Sequence, residues 1–161
     1  MKFKIPDPDF EKRVRASFTR QKLMSAIGAE LTRLEPGEAE ISLPYRDDLT
    51  QQHGFVHAGI IATIADTACG YAAFSLMPAD MAVLTVEYKI NLLSPAVGEL
   101  FLARGRVIRP GKTLSVCTGE VIAHHQGKGK TVATMLATMM ALPNQEGLVG
   151  YAGSALPMEN L

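Results

Sequence analysis

Tryptophan is absent from the chain, only two cysteines occur, and neither sign of charge is in excess. Sixteen basic residues balance sixteen acidic ones, so no overall field attracts nucleic acid or an anionic membrane, and we expect neither as a partner. Cys69 and Cys117 lie far apart without a C-x-x-C pairing, which is typical of a reduced cytoplasmic protein rather than a disulfide scaffold. We therefore predict a cytoplasmic protein in which both thiols are small buried side chains.

Several functional signatures are missing as well. The N-terminus has no apolar run followed by a small-residue cleavage site, as a signal peptide would have. Residues 56–77 are long enough to span a bilayer, but the central Asp66 and the abundant Ala, Gly and Thr favour a helix inside a soluble core. No G-x-S-x-G elbow marks a serine hydrolase, and residues 105–113 have one residue too many for a nucleotide-binding phosphate loop.

The central feature is a run of apolar or small residues at positions 60–74, which predicts about four turns of helix buried on all sides. Asp66 is its single charge. A buried carboxylate is costly unless it is paired, hydrogen-bonded or neutral, so two interpretations are open. Asp66 is either a structural group bonded to Thr63 or Thr67, or a base or nucleophile whose pKa is raised by its aliphatic neighbours.

The start of this helix is a second candidate site. The amides of Ala58, Gly59 and Ile60 have no intrahelical acceptors and lie at the positive end of the helix dipole, where they can stabilise an oxyanion. Alternatively, the small residues only allow close packing. His53 and His57 are four residues apart, but the loop-like context and the lack of a third suitably spaced ligand argue against a metal, and none is predicted.

The remaining pattern predicts one α+β domain. An amphipathic surface helix begins at Asp7-Pro8 and ends near Gly28, a hairpin turns at 35–38, and four meandering antiparallel strands follow the central helix. The first of these strands is predicted to place Leu84, Val86, Tyr88, Ile90 and Leu92 on one face. We divide the chain into an N-terminal segment with a surface helix (1–22), the main domain (23–142) and a loosely ordered tail (143–161).

A hairpin at residues 109–112 carries Arg109, Gly111 and Lys112. Basic side chains on a glycine turn can hold phosphate groups, but from these residues alone ordinary solvated hairpin charges are the favoured interpretation.

The segment Gln51-x-x-Gly54-x-x-His57-Ala58-Gly59, followed by Ala65-Asp66-Thr67-Ala68, resembles the signature of hotdog-fold thioesterases of the phenylacetic-acid-pathway (PaaI-like) type. In those enzymes Asn or Gln, then His-Gly-Gly, then Leu-Ala-Asp is usual. The resemblance extends from about Leu23 to Leu142. Ala58 stands where the family usually has glycine, and Gln51 where asparagine is commoner.

This resemblance implies a hotdog fold, a curved antiparallel sheet of five to six strands wrapped around one long helix, in homodimers that often pair into homotetramers. It implies hydrolysis of acyl-coenzyme A without a metal or bound cofactor. Asp66 would be the base or nucleophile, and the Ala58 amide would polarise the thioester carbonyl. Gln51 would position water or the carbonyl, and His57 would shape the loop.

The resemblance also assigns substrate-binding positions. Thr85 falls where a serine or threonine often assists the water. Apart from the resemblance, the small residues Ala58 and Gly59 at the helix start would let a substrate approach the backbone. Arg109, Gly111 and Lys112 lie where coenzyme A phosphates are commonly held. Family sites lie between subunits, so Asp66 of one chain would face Gln51 and Ala58 of the other.

We therefore expect an acyl-coenzyme A thioesterase. The many Ala, Met, Leu and Ile residues favour an aliphatic acyl group of medium or long chain. Two alternatives stay open: an enoyl-coenzyme A hydratase, and a non-catalytic module that binds or senses acyl-coenzyme A.

Overall fold

A computed structural model describes residues 3–143, and the prediction of a loosely ordered tail lies, apart from Pro143, outside the described residues. The helices are α1 (Phe10–Thr19), α2 (Lys22–Ile27) and α3 (Ala58–Phe74), with one short 3-10 turn at Asp47–Leu49. The strands are β1 (Glu30–Glu35), β2 (Glu38–Pro44), β3 (Met81–Leu92), β4 (Leu100–Arg109), β5 (Leu114–His125) and β6 (Lys128–Pro143).

All six strands form one antiparallel sheet in the order β1-β2-β4-β5-β6-β3, and α3 packs against it. The predicted α+β hotdog fold is thus confirmed, but the predicted meander is wrong for β3. This strand pairs with β6 at the edge of the sheet, while β4 lies beside β2. The connection after β3 crosses the strand ends, where the Leu93 amide donates to the Val132 carbonyl and the Glu99 amide to the His124 carbonyl, each at 2.8 Å.

Two glycines allow α3 to lie close to the sheet. Gly105 of β4 and Gly119 of β5 are directly paired neighbours. A Cβ atom on Gly105 would overlap the backbone carbonyl of Ala68, and one on Gly119 would lie 3.0 Å from Sγ of Cys69. The missing side chains therefore set the distance between helix and sheet.

A β-bulge in β3 changes which side chains face the helix. Thr85 pairs with Met139 and Glu87 pairs with Thr138, so Val86 is the extra residue between them. The prediction that Leu84 shares a face with Tyr88 is wrong, because the bulge reverses the alternation. Thr85 and Tyr88 instead both turn toward α3.

The predicted single N-terminal helix is interrupted. Gln21 has an extended backbone (ψ 96°) between α1 and α2, and its side-chain Nε2 donates to the Tyr71 hydroxyl at 2.9 Å. Helix α2 ends, as predicted, at Gly28, whose positive φ of 75° suits glycine. The tertiary contact with Tyr71 accounts for the interruption, because it requires the Gln21 side chain to point at α3.

Arg13 connects α1 to the C-terminal end of α3 through hydrogen bonds. Its guanidinium donates to the carbonyls of Phe74 (3.3 Å) and Met77 (2.8 Å), and to the Asp7 carboxylate (2.7 Å). It also lies 4.2 Å from the centre of the Phe74 ring. A cation at this position satisfies carbonyls that the helix end leaves free.

Candidate active site

One stripe of α3 faces away from the sheet and is not fully covered by the rest of the described chain. Gly59, Thr63, Asp66 and Gly70 are half-buried or exposed, whereas the sheet-facing side chains of α3 are buried. The prediction that this helix is buried on all sides is therefore wrong. A single curved sheet covers one side of the helix, and the N-terminal helices cover only part of the other.

Asp66 lies on this open stripe, and its Oδ1 accepts a hydrogen bond of 2.9 Å from the Thr85 hydroxyl of β3. Burial raises the pKa of Asp66, and the hydrogen bond from Thr85 partly opposes that shift. The interpretation in which Thr63 satisfies Asp66 is wrong, since the Thr63 hydroxyl donates to the Gly59 carbonyl at 2.8 Å. Asp66 is thus a partly desolvated carboxylate whose Oδ1 is hydrogen-bonded to Thr85.

Asp66 borders a cavity of about 420 Å³, which we call the carboxylate cavity. Its walls come from the open stripe of α3, from the first half of β3 and from the junction between α1 and α2. A substrate in this cavity would meet the carboxylate directly, which a structural aspartate bonded to its own helix would not allow.

The N-terminus of α3 offers one free amide. The Gly59 amide donates to Nδ1 of His57 at 2.9 Å, so the His57 side chain caps the helix. The amides of Ile60 and Ile61 donate to the His57 carbonyl at 2.9 and 3.2 Å. Within residues 3–143, the Ala58 amide donates no hydrogen bond. Ala58 is therefore the donor of the first turn that a ligand can use.

Gln51 and Ala58 line a second cavity of about 480 Å³, here called the amide cavity. Oε1 of Gln51 accepts from the His53 amide at 2.7 Å, which fixes the side chain and leaves its Nε2 as a donor. Much of the remaining wall is apolar, with Phe55, Ile61 and Leu92 among its residues.

The carboxylate and the free amide are separate within one chain. Asp66 and Ala58 are eight residues apart on α3, which corresponds to about 12 Å along the axis. Both cavities border β3, the carboxylate cavity along its first half up to Tyr88 and the amide cavity at Leu92 and Leu93.

Arg109, Gly111 and Lys112 lie exposed at the turn between β4 and β5. A Cβ atom on Gly111 would overlap the Leu114 carbonyl oxygen, so the tight turn itself requires glycine. Neither the carboxylate cavity nor the amide cavity is lined by this turn of the same chain.

Metal ligands and reactive thiols do not contribute to the described site. In the described part of the chain, no three His, Cys, Asp or Glu residues are grouped so that they could hold a metal ion. Cys69 and Cys117 are free and buried, as predicted, and burial raises the pKa of both thiols, that of Cys117 to about 12. No helix within 3–143 is both long and apolar enough to cross a membrane.

Sequence reasoning missed the far wall of the carboxylate cavity. Arg20, Gln21, Gly70 and Tyr71 line it. The interior glycine of α3 was the available signal, because glycine lowers the stability of a helix and needs a reason there. The contribution of the α1–α2 junction depends on tertiary packing that no local pattern reveals.

A curved antiparallel sheet around one helix, with a desolvated carboxylate on the open side of that helix, is a hotdog fold with a site suited to hydrolysis. Residues 53–130 match the thioesterase superfamily. A thioesterase family protein from Silicibacter pomeroyi shares 52% identity over 83% of this chain and 98% of its own, with a TM-score of 0.82. The chain belongs to the thioesterase superfamily.

Two further proteins are similar to this chain at lower identity. The 1,4-dihydroxy-2-naphthoyl-CoA hydrolase of Listeria monocytogenes is 28% identical over 58% of this chain and 76% of its own. The PaaI protein from the phenylacetic acid degradation operon of E. coli is 21% identical, over 86% of this chain and 96% of its own, with a TM-score of 0.75. The latter similarity shows the fold alone.

Proposed function

We propose that the protein hydrolyses acyl-coenzyme A thioesters to a free acid and coenzyme A, as an enzyme of the PaaI-like type. The observation that carries this proposal is the Asp66 carboxylate, which borders an open cavity, is desolvated enough to raise its pKa, and is oriented by Thr85. A carboxylate with a raised pKa is a better base near neutrality. Membership of the thioesterase superfamily supports the thioester as the reacting group.

The reaction follows from these groups. As a general base, Asp66 takes a proton from water while the oxygen of that water adds to the thioester carbon. The carbonyl oxygen becomes an oxyanion, which a free backbone amide at a helix N-terminus stabilises. The carbon–sulfur bond then breaks, and the coenzyme A thiolate takes the proton back from Asp66. As a nucleophile, Asp66 would instead add to the thioester carbon and expel the coenzyme A thiolate, which leaves an acyl anhydride. Water would then hydrolyse the anhydride to the free acid and the Asp66 carboxylate, and the thiolate would take up the released proton.

The edge position of β3 supports a homodimer that completes the site. Leu84, Val86 and Tyr88 are about half exposed (57%, 50% and 48%). The unpaired backbone groups of a long apolar edge strand can pair with a strand of another chain. Antiparallel pairing of two β3 strands about a two-fold axis places the first half of one beside the second half of the other. The carboxylate cavity then meets the amide cavity of the partner subunit, so that Asp66 faces Gln51 and Ala58 of the partner subunit.

The remaining assignments rest on the same proposal. Arg109 and Lys112 on their exposed turn would bind coenzyme A phosphates, with Gly111 keeping the turn tight. Gly59 would let the substrate approach the start of α3. We place the enzyme in the cytoplasm, as a homodimer or a pair of dimers acting on aliphatic acyl groups, with no nucleic acid or membrane partner.

The test is the Asp66→Asn variant, assayed by thiol release from a panel of short, medium and long acyl-coenzyme A substrates. Because asparagine can neither accept the proton nor attack, turnover should fall by about 10² to 10⁴ while the fold is retained. Asp80→Asn, at an exposed acid on the loop before β3, is the matched control. Near-normal turnover in Asp66→Asn contradicts the assignment, and saturable binding without thiol release in the unmodified protein identifies a binding module.

Single turnover in oxygen-18 water separates the two roles of Asp66. Label in the Asp66 carboxylate identifies a nucleophile whose anhydride is hydrolysed at the Asp66 carbonyl carbon, whereas a general base directs all of the label into the released acid.

A further inference from the structure

The carboxylate cavity continues along α3 beyond Asp66. Gly70 follows Asp66 by four residues and therefore lies on the same face of the helix. A Cβ atom on Gly70 would find no heavy atom within 4 Å, in contrast to Gly105, where close packing requires glycine. Because interior glycine weakens a helix, its use at a position without packing constraints keeps volume open beside the carboxylate.

The far end of this cavity is rich in hydrogen-bond donors. The buried Tyr71 hydroxyl accepts from Nε2 of Gln21 at 2.9 Å, and the Ser17 hydroxyl lies 3.4 Å from it. Gln21 keeps a second Nε2 hydrogen, and Tyr71 keeps its own hydroxyl hydrogen for a ligand or for Ser17. Arg20 lines the same wall, and its guanidinium can supply up to five N–H donors.

The two ends of the cavity have opposite charge. Asp66 and Arg20 are the only acidic and basic residues among the described residues that line it. Within residues 3–143, no carboxylate forms an ion pair with Arg20, whereas Arg13, Arg15 and Arg46 each have one. A guanidinium on a cavity wall without an acidic partner favours an anionic group on the ligand.

The separation of the ends indicates the size of that ligand. Asp66 and Tyr71 are five residues apart, or about 7.5 Å along the helix axis. An extended chain advances by about 1.25 Å per bond, so the six bonds from the thioester carbon to a distal carboxylate oxygen of a six-carbon dicarboxylic acid cover about the same length.

We propose that the acyl group of the substrate ends in a carboxylate that Arg20, Gln21 and Tyr71 bind, so that the preferred substrate is the mono-thioester of a six-carbon dicarboxylic acid. The chain of the acyl group lies in the space over Gly70. This inference rests on the proposed thioesterase function and narrows its aliphatic substrate class.

The test compares two thioesters of equal acyl chain length as substrates of the unmodified protein. Adipyl-coenzyme A carries the distal carboxylate, and hexanoyl-coenzyme A replaces it by a methyl group. We expect kcat/KM for adipyl-coenzyme A to exceed that for hexanoyl-coenzyme A by about tenfold or more, because a charge-assisted hydrogen bond is made with only one of them. The readout for variants is the ratio of these two values.

Arg20→Gln should reduce this ratio by about tenfold, mainly through a higher KM for adipyl-coenzyme A. Arg15→Gln is the matched control, since Arg15 lies on α1 away from the cavity and pairs with Glu11 at 2.9 Å. Its ratio should stay within twofold of the unmodified protein. Gly70→Leu should lower kcat/KM for both six-carbon thioesters at least tenfold relative to acetyl-coenzyme A.

The outcomes separate the two proposals. Hydrolysis of both six-carbon thioesters with equal kcat/KM, or a ratio that Arg20→Gln leaves unchanged, overturns the carboxylate subsite while the thioesterase function stands. Full activity of Gly70→Leu on six-carbon thioesters overturns the path over Gly70. Failure to hydrolyse any acyl-coenzyme A overturns the proposed function and, with it, the inference built on it.

Discussion

The Thr85 hydroxyl of edge strand β3 donates a 2.9 Å hydrogen bond to Oδ1 of Asp66 on the central helix. This bond lowers the pKa of Asp66 against the larger opposing effect of burial. Thr85→Val removes the lowering contribution, so the pKa of Asp66 should move upward. The carboxylate form would then be lost at higher pH, and the acidic limb of the pH profile of kcat/KM should shift in the same direction.

At pH 7 we expect Thr85→Val to lose about tenfold in kcat/KM, because Asp66 loses the hydrogen bond that orients it toward the substrate. Thr85→Ser keeps the hydroxyl and is the control, with a profile close to that of the unmodified protein. An acidic limb that does not move in Thr85→Val would show that the bond does not tune Asp66.

The exposed face of β3 provides a second prediction. Val86→Glu places a charge on the edge that the proposed dimer buries, and should yield a monomer with little thioesterase activity. Ile108→Glu is the matched control, because Ile108 of β4 is exposed to a similar extent (48% against 50%) but lies away from that edge. Light scattering coupled to size-exclusion chromatography measures the mass, and a fully active monomeric Val86→Glu would contradict a site shared between subunits.

Gly105 at the helix–sheet contact and Gly70 on the open side of α3 predict opposite effects of one substitution. Gly105→Ala would overlap the Ala68 backbone, so the free energy of unfolding should fall by about 1 to 3 kcal/mol. Gly70→Ala lies in a helix with free space around it and should raise the free energy of unfolding by up to about 1 kcal/mol. Urea unfolding of both variants tests the pair; equal effects at the two sites would refute the packing argument.

The buried Asp7 carboxylate predicts an acid-dependent loss of stability. The hydrogen bond from Arg13 holds the pKa of Asp7 below its usual range, with burial opposing this and the Asp9 amide assisting. A lowered folded-state pKa stabilises the protein above the unfolded pKa of about 4, and that contribution disappears as the pH falls through the folded value.

Asp7→Asn should therefore unfold at lower urea concentrations at pH 7 and show a weaker decline of stability below pH 4 than the unmodified protein. Asp80→Asn, at an exposed position, should keep the original decline. If Asp7→Asn retains the full acid-dependent decline, other carboxylates are responsible for it.

The features that could be predicted from the sequence are those that depend on residues close together along the chain. The apolar run around Asp66 and the turn at Gly37 identified α3 and the first hairpin, since burial and turn chemistry depend on neighbouring residues. The edge position of β3 could not be predicted from its alternating apolar and polar residues, because edge and central strands can show the same two-residue alternation. The bulge at Val86 and the break at Gln21 depend on contacts with α3, which only the folded chain supplies.

For the site, Asp66 was identifiable as a charge without a local reason, and Ala58 as an amide at a helix start. The family resemblance singled out Thr85 as a group that assists the water, but it predicted neither the hydrogen bond from Thr85 to Asp66 nor the bulge that makes this contact possible. Arg20 gave no signal, because an arginine in a predicted amphipathic surface helix looks like any solvated charge.

The fixed spacing of Ala58 and Asp66 on α3 has a consequence for the proposed dimer. One helix holds the carboxylate of one site and the amide of the other, so both belong to a single rigid body. A small tilt of that body that moves its carboxylate toward one thioester also displaces its amide relative to the second. Binding of substrate at one site would then change the geometry of the other site through a movement of α3 alone, without any movement of the sheet.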